Sequence, residues 1–248
     1  MATYSFLQEI AHRPFPLPQG PWIMRQSWRN LLFAHWAVPV EALRELIPAS
    51  LEIDTFDGYG WIGVVPFSMN DVCPRYVPPL PWISNFLELN VRTYVRKNGI
   101  PGVYFFSLDC SNPLAVYAAR HFFHLPYFDA VMSLQHIGSD VVYKSVRQRT
   151  GETFEAIYCA EGAQIESGKD SIEHFLTERY CLYTANPGGK LFRGVIHHVP
   201  WTLQKANAEI RTNTMVPSPL RKICDSTPQL LHFSKSIDTV EWYLSPAD

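Results

Sequence analysis

The chain reads as a mainly β, α+β protein, an antiparallel β-barrel or bent sandwich with a few short helices. Three observations predict this class. Twenty prolines and 14% aromatic residues favour many turns and short strands over long helices. About nine strand-like runs follow one another too closely for βαβ units. No internal repeat, low-complexity segment or long linker interrupts the 248 residues, which predicts a single domain over 1–248 with an extended arm over 1–21.

In chain order, residues 3–12 suit a short amphipathic helix. Pro14, Pro16, Pro18 and Pro21 then force an extended path with few backbone donors, expected to lie over the body of the protein or a neighbouring subunit. Residues 22–36 are strand-like, with Arg25, Ser27, Arg29, Leu31, Phe33 and His35 on one parity. Pro39 suits the start of a helix over 41–46, which Pro48 stops. A short strand at 51–54 and a turn at 56–60 lead to a buried strand over 61–69, where Pro66 marks an edge or a bulge. The proline-rich residues 70–84 predict a loop.

Residues 85–95 sort most cleanly by parity. Leu87, Leu89, Val91, Thr93 and Val95 fall on one side, and Glu88, Asn90, Arg92 and Tyr94 on the other. Strand geometry sets neighbours in such a row about 7 Å apart. The polar row either faces water or lines a pocket, and Glu88 and Arg92 could also satisfy each other as an ion pair. An Asn98-Gly99 turn and a return strand over 103–108 complete a hairpin. Asn112-Pro113 opens a helix that ends before Pro126, and a meander follows over 131–136, 141–148 and 153–160. Its Tyr143, Ser145 and Arg147 form a second polar row, of the kind that usually faces solvent. Asp170 with Glu173 resembles a capping box for a helix over 171–176. Strands at 179–184 and 191–199, joined by a turn at 186–189, and a last strand at 231–236 finish the pattern.

Composition excludes several function classes. The 21 basic and 23 acidic residues give a net charge of -2 with no long run of either sign, so neither nucleic acid nor a membrane surface is an expected partner. Five scattered cysteines without a CxxC pair suggest reduced thiols and a cytoplasmic location. The opening residues lack a signal-peptide pattern, and no apolar run reaches the roughly 18 residues of a spanning helix. GxGxxG, GxxxxGK[ST], HExxH and GxSxG are absent, so no cofactor is expected. His121 with His124, and His197 with His198, lack a carboxylate or cysteine at ligand spacing, so no metal is expected either.

Two segments carry a family resemblance. Residues 42–54, Ala-Leu-Arg-Glu-Leu-Ile-Pro-Ala-Ser-Leu-Glu-Ile-Asp, resemble the helix–proline–strand segment of acetoacetate decarboxylase. Residues 119–128, Ala-Arg-His-Phe-Phe-His-Leu-Pro-Tyr-Phe, resemble that enzyme's helix leading into its catalytic lysine pair. Over nearly its whole length the chain resembles still more closely the YqjF-like family of the acetoacetate decarboxylase-like superfamily, through residues 28–36, 86–94, 175–183 and 197–201. The resemblance implies a cone-like antiparallel barrel around a small-molecule pocket.

Carried over residue by residue, Arg29 falls at an active-site arginine and Glu88 matches the active-site glutamate. The Schiff-base lysine position is Tyr127, and the neighbouring lysine is Phe128. An imine requires a neutral amine, which tyrosine lacks. Lys144, on the strand over 141–148, is the candidate substitute, since Lys97, Lys169 and Lys190 sit in turns and loops. The implied catalytic set is therefore Glu88, Arg29 and Tyr127, with Arg92, Asn90, Tyr94, His124 and Lys144 in binding roles. Arginine and tyrosine can hold developing negative charge while a tuned carboxyl moves a proton.

The expected activity is lyase, isomerase or hydrolase chemistry on a small carbonyl or carboxylate compound, without Schiff-base decarboxylation. A non-catalytic ligand-binding or sensing barrel and a structural subunit are the alternatives. Trp28, Trp36, Trp61 and Trp82 are placed around the mouth, and the expected partners are a small molecule and further copies in a homo-oligomer.

Overall fold

A computed structural model describes residues 5–80 and 82–247. The helix predicted over 3–12 begins outside them, and its described part forms one 3-10 turn, Ser5–Gln8. Thirteen strands among the described residues join one sheet: β1 (Met24–Val38), β2 (Glu52–Ile53), β3 (Gly60–Pro74), β4 (Phe86–Lys97), β5 (Ile100–Cys110), β6 (Tyr127–Ile137), β7 (Asp140–Arg147), β8 (Thr153–Gln164), β9 (Cys181–Ala185), β10 (Leu191–His197), β11 (Gln204–Asn213), β12 (Leu230–Glu241) and β13 (Ser245–Pro246). The helices are α1 (Val40–Arg44), α2 (Pro113–Phe123), α3 (Ile172–Thr177) and α4 (Ser218–Cys224).

The sheet closes on itself twice. One ring runs β5-β6-β7-β8-β11-β12-β1-β3-β4 and is closed by the β4–β5 hairpin; a shorter path joins β5 to β12 through β9 and β10. Closure leaves few free edges, the liability of an open sheet. The pairing is mixed rather than wholly antiparallel, because β5 pairs in parallel with both β6 and β9. Gly102 permits the second contact, since a Cβ there would lie 2.8 Å from the Cys181 carbonyl oxygen.

The wall β12-β1-β3-β4-β5 is common to both rings and has two interior faces. Leu89 and Val91 of β4 pack with Leu32, Ala34, Ile62 and Val64, covered by Tyr143, Phe154 and Tyr158 of the meander. Meander strands, rather than a helix or another subunit, bury the apolar side of β4. The opposite face carries Leu31, Phe33, Val65 and Phe67 against Trp201. Tyr143, Ser145 and Arg147 correct the solvated-face expectation: all are buried, Tyr143 donating to the Glu88 carbonyl and Arg147 to Asp109.

A bulge in β1 decides which residues face inward. Asn30 has φ 56°, and the β1–β3 register shifts between Arg29 and Ala34. An extra residue switches side-chain parity, so Gln26 and Trp28 point inward before it and Leu31 and Phe33 after it. Pro66 lies opposite this break, which makes it a bulge proline rather than an edge one.

Elsewhere the β4–β5 turn has Asn98 at φ 51° and Gly99 at φ 75°, as a tight hairpin requires. Asn112 caps α2 by accepting from the Leu114 and Ala115 amides. The α3 cap is Ser171 rather than Asp170. Strand β3 runs to Pro74, where a loop was predicted; β11 and α4 lie where no element was, and β12 continues well past residue 236. The arm lies on the body: Arg13 donates to the Ile196 carbonyl at 2.9 Å, and Trp242 to that of Gly20 at 3.1 Å. No helix among the described residues is long and apolar enough to cross a membrane.

Candidate functional site

Three residues of the β4 polar row, Glu88, Asn90 and Arg92, line a cavity of about 90 Å³ between β4 and the β9–β10 side of the molecule. Glu88 is 2% exposed there. Tyr127, the first residue of β6, donates its phenol to Glu88 Oε2 at 2.9 Å, and the Asn90 side chain adds a second hydrogen bond. Burial pushes the Glu88 carboxyl up to about 8, against these two hydrogen bonds and reinforced by the charge of Glu241. Glu241, at the end of β12, also faces the cavity; burial pushes it up to about 7, opposed by a hydrogen bond from Gln26. Neither carboxyl makes an ion pair among the described residues. Two such groups, one largely protonated and one near half-protonated at neutral pH, can act as acid and base toward a compound between them.

The cations nearby have different tasks. Arg92 does not pair with Glu88: it lies over the Phe33 ring at 5.5 Å, donates through Nη2 to the Leu176 carbonyl at 3.1 Å, and keeps Nε buried without a hydrogen-bond partner. Arg179 also lines the cavity, but Asp54 holds it at 2.6 Å. His198 is stacked on Tyr180 at 4.6 Å, and burial drives it down to about 3, which keeps it neutral.

Of the residues predicted for the site, Glu88, Asn90, Arg92 and Tyr127 come together in this cavity. Tyr94 is buried beneath it, bonded to His35 Nε2 at 2.6 Å, and does not line it. Arg29 lies outside: the Asn30 bulge turns it away, and its half-exposed side chain meets Asp71 at 3.7 Å. Lys144 is half-exposed on β7, where it pairs with Glu155 across the β7–β8 register at 3.4 Å. His124 is the left-handed C-cap of α2, φ 50°, and leans on Phe192 at a separate surface hollow. No lysine lines the cavity among the described residues. Of the four tryptophans expected at a mouth, Trp28 lines the cavity, Trp36 and Trp61 are core, and Trp82 is exposed on the surface.

Gln26, Glu241, Arg179, His198 and Trp201 complete the lining without having been anticipated. For Glu241 a signal existed in the shared parity of Ile237 and Thr239, which continues to it along β12. No group of three or more His, Cys, Asp or Glu among the described residues could hold a metal ion.

The doubly closed sheet is an architecture found in solved structures. Acetoacetate decarboxylase from Legionella pneumophila matches with a TM-score of 0.66 at 11% identity, over 100% of this chain and 97% of that one. The enduracididine biosynthesis enzyme MppR, complexed with pyruvate, gives 0.64 at 10% identity over 92% and 91%. An acetoacetate decarboxylase-like enzyme from Sphingomonas wittichii RW1 gives 0.63 at 10% identity over 95% and 99%. The fold is therefore acetoacetate decarboxylase-like. In sequence, the DUF2071 family, described as an uncharacterized conserved protein, matches residues 25–238, and YqjF of Bacillus subtilis (strain 168) is 47% identical over 238 residues, 96% of this chain and 98% of its own. The chain belongs to the DUF2071 family, and the resemblance to YqjF-like proteins is borne out.

Proposed function

We propose that the protein is an acid–base enzyme acting on a small carbonyl or carboxylate compound, without a lysine Schiff base. The observation that carries this reading is Glu88: a buried carboxyl with no counter-ion among the described residues, held by a phenol in a cavity that Arg92 also lines. At neutral pH a group at about 8 is mainly protonated and donates a proton, while Glu241, at about 7, is ionised in roughly half of the molecules and can accept one. Arg92 would hold the carboxylate or the enolate oxygen, exchanging solvation for a fixed cation, while the Tyr127 phenol stays on Glu88. Absence of lysine from the lining argues against imine formation, which needs an amine within reach of the carbonyl.

Exchange of the α-hydrogens of pyruvate and longer 2-oxo acids in D2O, followed by proton NMR, tests this reading. Wild-type protein should accelerate exchange, and Glu88→Gln should lose on the order of a hundredfold or more while still binding the acid. Exchange unaffected by that substitution would remove Glu88 from the chemistry. Binding without any exchange would instead describe a ligand-binding barrel. Borohydride added with pyruvate should leave the intact mass unchanged, since a covalent adduct would restore imine chemistry.

A further inference from the structure

We infer that the ligand is an amphiphile, a carboxylic acid whose medium-length apolar chain occupies a second chamber outside the Glu88 cavity; this rests on the reading of the inner cavity given above. The second chamber has a volume of about 370 Å³ and lies under α2. It shares Gln26, Tyr127 and Glu241 with the inner cavity, together with Met69, Leu125, Leu182 and Ile196, so the two adjoin at these side chains.

Polarity is distributed unevenly between them. The three polar side chains of the outer chamber are the three at the junction, and the remainder of its wall is apolar, including Val72, Phe86, Ala118, Phe123 and Trp242. No cationic side chain lines the outer chamber, so a carboxylate has its partner, Arg92, at the inner end alone. The ligand is thereby oriented, head inward and chain outward, with Ile83 and Leu114, both partly exposed, at the rim. Asn112 ties this rim together by donating to the Ile83 carbonyl at 3.1 Å from the cap of α2. Cavities of about 150 Å³ accept benzene; on that scale the outer chamber, at about 370 Å³, has room for a chain of up to roughly fifteen carbons.

The test is a binding series of butyrate, hexanoate, octanoate, decanoate and dodecanoate, read by calorimetry, with competition for the weak short acids. Affinity should rise about fourfold per methylene, the value for complete apolar burial, until the chain reaches the rim. Ala118→Trp, which fills the chamber, should weaken decanoate at least tenfold and leave butyrate within about twofold.

Affinity independent of length in the wild type overturns the inference, and needs no variant to fold. A length dependence that Ala118→Trp leaves intact also overturns it, because the chain then lies elsewhere. Arg92→Gln separates the two readings: it should weaken every acid by a similar factor. If it does not, the inner head site fails while the chamber stands; if short acids bind through Arg92 without any gain from length, the chamber fails while the head site stands. Absence of binding by all five acids overturns both.

Discussion

The phenol of Tyr127 donates to Glu88 Oε2 at 2.9 Å, linking the first residue of β6 to the third residue of β4 across the parallel β5–β6 pairing. This bond favours the ionised carboxylate, so it works against the burial that raises the Glu88 pKa. Tyr127→Phe should move the Glu88 midpoint further upward. An infrared pH titration of the protonated carboxyl band, with Glu88→Gln as the blank, reads that midpoint directly; a fall would mean that the phenol does not support the carboxylate.

Glu88 also makes stability depend on pH. Its folded value of about 8 lies above the ordinary 4.5, so the native state binds more protons than the unfolded chain between these values. The sign follows: the contribution is fully present below about pH 4.5 and is lost as pH rises toward about 8. Relative to Glu88→Gln, the wild type should lose up to about 4 kcal/mol across that window. Glu241 adds a slope of the same sign but is present in both proteins, so the difference isolates Glu88. Urea denaturation at about pH 5 and about pH 8 makes the comparison, and parallel changes in the two proteins would contradict it.

Asp54 bridges two arginines, Arg179 at 2.6 Å and Arg96 at 2.8 Å, and Arg179 is buried beside the cavity. Removal of one member of a buried pair leaves an uncompensated charge, at a cost of about 3–5 kcal/mol. Asp54→Ala should therefore lower stability by that order, whereas Arg96→Ala, whose partner retains Arg179, should cost far less. Thermal melts of the two variants decide this; equal losses would show that Arg179 does not depend on Asp54.

The Asn30 bulge should tolerate glycine and reject β-branched residues. Its φ of 56° is accessible to Asn and Gly, while other residues pay about 1–2 kcal/mol there. Asn30→Val should destabilise by that amount and Asn30→Gly by little, as measured by chemical denaturation. Equal stability of the two variants would mean that the bulge relaxes.

Much of the barrel was readable from local rules. Period-two alternation located β4 and its hairpin partner, Asn98-Gly99 their turn, and Asn112-Pro113 the start of α2, because each depends on neighbours within a few residues. The resemblance placed Glu88 and Tyr127 together, and they are in contact. Arg29 shows where parity fails: one inserted residue at Asn30 reverses every side chain that precedes it, and the inserted residue is recognisable only in the β1–β3 register.

What the sequence alone determined was the class of fold, the apolar and polar faces of β4, and the absence of a lysine from position 127, since covalent identity and strand alternation suffice for all three. Tertiary structure decided which polar row would be enclosed and what would share its space. Glu241 is far from Glu88 in the chain, and it enters the same cavity through closure of β12 onto β1 and β10. The raised pKa values belong to that closure, since desolvation depends on the strands that exclude water and not on the order of residues along any one of them.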